Sequence, residues 1–287
     1  MLKRLQKKQN QLDNNNLLYC LLSFRPLLEM EKAAEVLFKL MEENITELNL
    51  ERLYLIVRCL SDFVLCPKEF LEKFDSGSDK LLPKLGQWMD NIWACQILAL
   101  VLSKAEIGST QNWLQRNVLG PLHGQEIVEE LHNNLCQNSP DLRQWILICL
   151  TKLFPKVFQR VSCPQLKLIT SFYAFQTEVY QLMLQVETSE VTIHTYRDRV
   201  KFMISLNWNS QAVQKIHENA QVKLGVFRFL LSQFSVNFKL LWEPTLKVIE
   251  TYVSGSQNAQ DLWTTWLKIF EKVNLDAGKR CEPEDTE

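Results

Sequence analysis

The helical spacing of the apolar residues is the feature that most constrains the fold of this chain. One stripe follows positions i, i+3, i+4, i+7 and i+11 and consists of Leu53, Ile56, Val57, Leu60 and Val64. This spacing lines up one face of an α-helix, and it recurs within 142–153 and 238–253. We find no segment with the strict alternation of a half-buried strand. The sequence therefore predicts an all-α fold.

Composition narrows the class of protein further. The 287 residues are 46% hydrophobic and include only 8 Gly and 9 Pro. This much apolar material excludes wholesale disorder, and so few turn formers argue against a barrel or sandwich of many short strands. The net charge of −1 argues against a strongly basic domain that wraps nucleic acid. No nucleotide-binding glycine motif, metalloprotease motif or nucleophile elbow occurs in the sequence.

The apolar stripes and the breaks between them predict a long series of helices. We place them at 17–24, 27–43, 49–65, 67–74, 79–88, 91–105, 110–118, 124–137, 140–153, 164–186, 192–205, 210–234, 237–253 and 257–273. The clearest start signal is Ser139-Pro140-Asp141, in which Ser139 can cap the helix, Pro140 can take its first position and Asp141 meets its positive end. Pro155 follows directly after the helix predicted at 140–153.

Consecutive predicted helices form pairs, and each pair spans about 30 to 45 residues. This repeat length indicates an α-solenoid of stacked antiparallel helix pairs, of the HEAT or armadillo kind. The best single repeat is 124–154, with a turn that carries Pro140 and Asp141 before Leu142 and Arg143. A compact, irregular helical bundle would give much the same sequence pattern. We expect a disordered basic N-terminus at 1–13, a HEAT-like repeat domain at 14–273 and a disordered acidic tail at 274–287.

The cysteines and the apolar run lengths suggest a compartment. Eight cysteines occur without a C-x-x-C pair, mostly within apolar stretches, which is typical of buried thiols in a reducing environment. There is no secretory signal pattern and no apolar run near the roughly 20 residues of a spanning helix. We expect a soluble nuclear or cytoplasmic protein without a membrane contact.

Few residues suggest covalent chemistry. His132 and Cys136 are four apart on a predicted helix, which suits two metal ligands, but no second short-spaced pair accompanies them. A partly buried His beside a core Cys is the competing interpretation. The acidic cluster Glu126, Glu129 and Glu130 fits a solvated helix face. We therefore expect no catalytic, metal-binding or cofactor-binding residues and no small-molecule substrate.

The most concentrated charge in the second half is the segment Tyr196–Lys201. Arg197, Arg199 and Lys201 are the candidate contacts to RNA phosphates, and Lys215, Lys223 and Arg228 are candidates for a basic flank. The competing interpretation is an exposed helix face on which Asp198 pairs with its neighbours.

The tryptophans are candidates for packing. We expect Trp145 to be largely buried between repeats, and Trp242, Trp263 and Trp266 to pack between helices. Anchoring of a partner at an interface is the alternative for the last three.

The last hundred residues resemble a known family. The run 235–250, Ser-Val-Asn-Phe-Lys-Leu-Leu-Trp-Glu-Pro-Thr-Leu-Lys-Val-Ile-Glu, precedes a Trp-containing helix at 262–272, and Thr195–Val200 lies upstream. These segments resemble, in order and spacing, an interior part of the DRIM (down-regulated in metastasis) family. That family is a large HEAT-repeat component of the small-subunit processome. Because its members are several times longer, the resemblance implies that the chain is a fragment, an incomplete gene model or a shortened relative.

The resemblance implies a non-enzymatic scaffold in ribosome biogenesis, located in the nucleus and nucleolus, that supports 18S rRNA maturation. Its expected partners are other ribosome-assembly proteins and pre-rRNA. The alternative is a HEAT or armadillo adaptor in transport or trafficking, unrelated to ribosome assembly. A helical-bundle enzyme is a third class, which a deep pocket lined by titratable groups with shifted pKa values would favour.

Overall fold

The chain is described here from a computed structural model. The structure describes residues 23, 37, 40, 49–61, 85–105, 123–136, 139–158, 166–188, 192–255, 260 and 262–268. Within these ranges the regular elements are α-helices and 3₁₀ turns, and none is a strand. The predicted all-α class is therefore confirmed for the described part of the chain.

The helices are named in chain order. Their bounds are α1 Leu50–Ser61, α2 Ile92–Ala105, α3 His123–Asn133, α4 Pro140–Phe158, α5 Leu166–Thr188, α6 Ile193–Ser205, α7 Ser210–His217, α8 Ala220–Ser232 and α9 Lys239–Ser254. Two 3₁₀ turns, Gly86–Trp88 and Gln233–Ser235, precede α2 and α9. Residues 262–268 are helical as well.

Polar caps fix where several of these helices begin. Asn49 Oδ1 accepts from Arg52 N at 3.1 Å before α1, and Asn91 Oδ1 accepts from Trp93 N at 2.9 Å before α2. Ser139 Oγ accepts from Leu142 N at 3.3 Å, with Pro140 as the first residue of α4. The start predicted at Ser139 and Pro140 is confirmed, because a side-chain acceptor here satisfies an N–H group that the helix cannot pair internally.

Three predicted helix boundaries are wrong. The helix predicted at 124–137 already ends at Asn133. The helix predicted at 210–234 is two helices, α7 and α8, because Asn219 takes an extended conformation and its side chain accepts from Gln221 N and Val222 N at 3.0 Å each. The helix predicted to end at 153 continues through Pro155 to Phe158. Pro155 removes the backbone hydrogen bond to the Thr151 carbonyl and crowds it, which is a local cost that does not end the helix here.

Unit 1 has the bounds Met1–Asn134 and Ser139–Arg160. Helix α2 packs against α1 and against α4, while α3 packs against α4 and against the turn Gly86–Trp88. The α2–α4 contact is close, since Cys149 Sγ donates to the Cys95 carbonyl at 3.2 Å. Large apolar side chains such as Ile97 and Leu150 are fully buried there. Trp145, predicted to be largely buried, is only half-buried.

Unit 2 has the bounds Leu135–Asn138 and Val161–Glu287. Helix α5 contacts α6, α7 and α8, and helix α9 contacts α6, α7 and α8. Tyr180 and Tyr252 are fully buried, and Tyr252 Oη donates to the Lys223 carbonyl at 2.8 Å. Helix α6 is thus held on α5 and α9, which fixes the faces that its charged residues occupy.

Several predictions lie outside the described residues. These are the basic segment 1–13, the acidic tail 274–287, and the helices predicted at 17–24, 27–43, 67–74 and 110–118, apart from the isolated residues 23, 37 and 40. Among the described helices, none is long and apolar enough to cross a membrane.

Candidate functional surface

Helix α6 carries the segment from which RNA contacts are predicted. It begins at a capping box, in which Thr192 Oγ1 accepts from Thr195 N at 3.2 Å and Thr195 Oγ1 accepts from Thr192 N at 3.1 Å. It ends at Ser205, before Leu206 in extended conformation. The capping box fixes where α6 begins, and the packing of α6 on α5 and α9 decides which of its residues face the interior of unit 2.

Arg199 lies in that interior. Its side chain is 5% exposed, and its Nη1 donates to Gln233 Oε1 at 3.2 Å. The guanidinium also lies over the Tyr196 ring, 5.2 Å from the centroid, and Nε has no hydrogen-bond partner. Burial lowers the pKa of Arg199, which nonetheless keeps its charge at neutral pH. Arg199 is therefore not presented to solvent, and we narrow the RNA-contact prediction to Arg197 and Lys201.

Arg197 and Lys201 lie on the outer side of α6 and are exposed. Lys201 Nζ lies 3.8 Å from Asp198 Oδ1, but both side chains are at least three-quarters exposed, so this pair contributes little to stability. Within the described part of the chain, no residue forms an ion pair or hydrogen bond with the Arg197 guanidinium. Direct RNA contact through these two residues stays a prediction.

Aromatic rings lie beside these charges, but they are engaged with each other. The Tyr196 ring stacks on Phe238, with centroids 5.6 Å apart and planes at 28°, and Arg199 lies over Tyr196. Since a nucleobase needs a free ring face for stacking, Tyr196 is a poor base-stacking platform in this arrangement.

The three other basic candidates do not form an exposed flank. Lys215 pairs with Glu218, Lys223 is buried, and Arg228 Nη1 donates to the Cys136 carbonyl at 3.0 Å. Lys223 and Arg228 are therefore held within unit 2, and Lys215 forms an ion pair at its surface.

Apolar side chains also reach the surface of unit 2. Among the described residues, the large exposed hydrophobic side chains are Ile193, Ile204, Leu240, Leu246, Trp263 and Leu267. Four of them lie on α6 and α9, two helices that pack against each other. The sequence pattern showed amphipathic helices here, but it did not show that these particular side chains stay uncovered.

The predictions for the tryptophans have different outcomes. Trp263 is 54% exposed and stacks on Trp266 with centroids 4.9 Å apart. Burial of Trp263 between helices is therefore wrong, and the alternative of a partner anchor stays open for it. Trp242 is half-buried, and its Nε1 donates to the Val236 carbonyl at 2.9 Å.

The paired metal ligands suggested for His132 and Cys136 do not share a helix. Helix α3 ends at Asn133, and the Cys136 thiol donates to the Gln221 carbonyl at 3.3 Å. His132 is buried with its ring 5.9 Å from Phe154, and burial lowers its pKa from 6.5 to about 4. In the described ranges no cluster of three or more His, Cys, Asp or Glu residues has the geometry to hold a metal ion.

The buried thiols of Cys95 and Cys149 in unit 1 are poor nucleophiles. Burial raises the pKa of Cys95 to about 12, with Asp90 adding to the shift, and burial also raises the pKa of Cys149. Since the thiolate is the nucleophilic form, neither residue is activated for covalent chemistry.

The chain was compared with protein-family models and with solved structures. No protein-family model matches the sequence, and no solved structure matches the fold significantly. Function is therefore inferred from the surface of α6 and from the packing of the helices.

Proposed function

We propose that this chain is a non-enzymatic scaffold of HEAT- or armadillo-like helical repeats that acts in assembly of the small ribosomal subunit. It supports 18S rRNA maturation as part of the small-subunit processome in the nucleolus. In this role it holds other assembly proteins, and pre-rRNA with them, without performing covalent chemistry. The proposal combines the resemblance of 195–272 to the DRIM family with two structural observations.

The observation that carries the proposal is the packing of the helix pair α3–α4 on α2 and on the turn before it in unit 1. Helix α4 lies on α2, while its partner α3 lies on the turn Gly86–Trp88 that precedes α2. The ideal Cβ position at Gly86 is 3.3 Å from Ile127 Cγ1, which shows how closely α3 approaches this turn. In a solenoid, each element of one pair stacks on the corresponding element of the next pair. This two-row packing supports a repeat architecture for 85–158.

The chemistry of the described residues supports a binding role over a catalytic one. Groups with strongly shifted pKa values, among them Cys95, His132 and Tyr180, are buried, and burial is the main cause of each shift. A catalytic centre places such groups in a cleft beside a specific charged partner. Buried groups shifted mainly by desolvation are typical of a packed core.

The test is the sedimentation of the tagged chain with pre-ribosomal particles. We expect it to co-sediment with small-subunit precursors on a sucrose gradient and to lie in the nucleolus. Depletion of the protein should increase the ratio of 18S precursors to mature 18S rRNA while leaving large-subunit precursors unchanged. Sedimentation only with cytoplasmic transport or membrane-trafficking complexes would contradict the proposal and favour an adaptor.

A further inference from the structure

A single stripe on the outer side of α6 combines apolar and basic side chains. We call Ile193, Arg197, Val200 and Ile204 the α6 outer stripe. Their spacings of four, three and four residues place them on one helix face over about 16 Å. The buried Arg199 and Met203 lie roughly a quarter to a third of a turn around the helix from it. The outer stripe therefore runs along the flank of α6 beside the buried face, with Ile193, Arg197 and Ile204 exposed.

The apolar ends of the stripe are open to solvent. Ile193 is 59% exposed and Ile204 is 61% exposed, with Val200 half-buried between them. Single exposed apolar residues are normal on a protein surface. Two isoleucines in line on three turns of one helix instead make a short row that suits the apolar face of a partner helix.

The charge of the stripe identifies the kind of partner. Arg197 lies between the two isoleucines and has no ion-pair partner among the described residues. The stripe itself contains no carboxylate. The nearby Lys201 forms a weak, solvent-exposed ion pair with Asp198. An opposing surface with apolar side chains and carboxylates would bury the isoleucines and pair the arginine at once.

RNA fits this surface less well than a protein segment does. A phosphate backbone would pair with Arg197 and Lys201 but would gain nothing from covering Ile193 and Ile204. The nearby Tyr196 ring, already stacked on Phe238, offers little to a base. Resting on the scaffold function proposed above, we propose that the α6 outer stripe docks an acidic amphipathic helix of a partner protein.

The test uses the purified full chain and a designed probe. The probe is a fluorescent helical peptide of about 20 residues with Leu on one face and Glu flanking it. A second peptide replaces every Glu by Lys, and a third replaces every Leu by Ser. Fluorescence anisotropy should show binding of the acidic amphipathic peptide and at least about tenfold weaker binding of the other two.

Variants of the stripe separate its two components. Ile193→Ser with Ile204→Ser, and separately Arg197→Glu, should each weaken binding of the acidic peptide by about tenfold or more. Arg197→Glu should also improve binding of the Lys peptide. The matched control makes the same kinds of change elsewhere, Leu267→Ser with Lys268→Glu, both exposed in the helical residues 262–268. It should leave binding within about twofold, and circular dichroism checks the fold of every variant.

Three results would overturn the proposal. One is peptide binding that neither stripe variant changes. Another is binding of single-stranded oligouridine that Arg197→Glu abolishes and the Ile→Ser changes do not, which would make the stripe an RNA contact. The third is a dimer, detected by analytical ultracentrifugation, that the Ile→Ser changes dissociate. Deletion of 282–287 adds a control: peptide binding that appears only after deletion would assign the stripe to the acidic segment of this chain.

The outcomes also separate this inference from the proposed function. Stripe-dependent peptide binding by a chain that does not sediment with pre-ribosomes would retain the docking surface and reject the ribosomal role. Unchanged sedimentation of the stripe variants, together with unchanged peptide binding, would reject the docking surface alone.

Discussion

Arg199 shows that the burial of one side chain changes which residues of a charged segment can contact a partner. In the sequence it is one of three alternating cations, whereas in the fold it is a buried guanidinium hydrogen-bonded to a neutral glutamine. A buried charge without a carboxylate loses more hydration energy than one neutral hydrogen bond restores. Burial of Arg199 therefore lowers the free energy of unfolding, whereas Arg197 lies on the surface and has no such effect.

This difference predicts opposite behaviour of two arginines on one helix. Arg199→Met combined with Gln233→Met should stabilise the chain by about 1 kcal/mol, because both ends of an incompletely satisfied polar contact are removed together. Arg199→Met alone should gain less, since it leaves the buried Gln233 Oε1 without its donor. Arg197→Met should change the free energy of unfolding by less than about 0.5 kcal/mol. Urea titration of the four proteins measures this, and a double variant less stable than the wild type would contradict it.

His132 predicts a pH dependence of stability. Its pKa is 6.5 in the unfolded chain and about 4 when buried in unit 1, so the unfolded state binds the proton first as the pH falls. The contribution of the neutral ring is fully present above pH 6.5 and is lost as the pH falls toward 4. Between about pH 7.5 and about pH 5, this one group should lower the free energy of unfolding by about 2 kcal/mol.

The check is urea denaturation at both pH values. His132→Leu should remove most of this loss, whereas His194→Leu, at an exposed position, should not alter it. An equal pH dependence in His132→Leu and the wild type would show that other groups are responsible.

At the scale of the element, a single capping residue decides whether 210–232 is one helix or two. Asn219 Oδ1 accepts from two backbone N–H groups at the start of α8. The strong apolar pattern runs through the break, so periodicity by itself favours one helix. A side chain that satisfies the first N–H groups makes termination and restart the better solution.

Replacement of this cap should be costly and chemically specific. Asn219→Ala should destabilise the chain by about 1 kcal/mol because two N–H groups lose their acceptor, whereas Asn219→Ser should cost only a few tenths. The free energies of unfolding from denaturant titration decide the matter. Equal costs for Ala and Ser would mean that the hydrogen bonds of the cap contribute nothing measurable.

At the scale of the whole molecule, the described helices divide into two compact units, each with its own buried residues. Ile97 is fully buried on α2, the helix that lies between α1 and α4. Ile97→Ala should destabilise unit 1 by about 2–5 kcal/mol through lost burial and the cavity that remains.

Hydrogen exchange with mass spectrometry shows where this loss is felt. Exchange should accelerate in α1, α2 and α4 and change much less in α7 and α9, because compact units tend to open as separate cooperative groups. Equal acceleration throughout would show that the chain unfolds as one unit.

Three features could be predicted from the sequence alone: the all-α class, the starts of the helices α2, α4 and α6 to within one residue, and the cap at Ser139. These depend on local chemistry: apolar residues at helical spacing and side chains that reach nearby N–H groups. Local chemistry also marked α6 as the most highly charged helix of the second half. Local chemistry did not show that α7 and α8 are separate or that α4 continues through Pro155. At these two places several weak local preferences compete with tertiary packing.

Which of these side chains are buried depends on tertiary packing. Arg199 is buried while Ile193, Ile204 and Trp263 are exposed, the reverse of what residue type alone suggests. The reason is physical: periodicity identifies the faces of a helix, but burial depends on the neighbours that distant parts of the chain bring against each face. Gln233, 34 residues from Arg199, receives its hydrogen bond, and no spacing within α6 encodes that meeting.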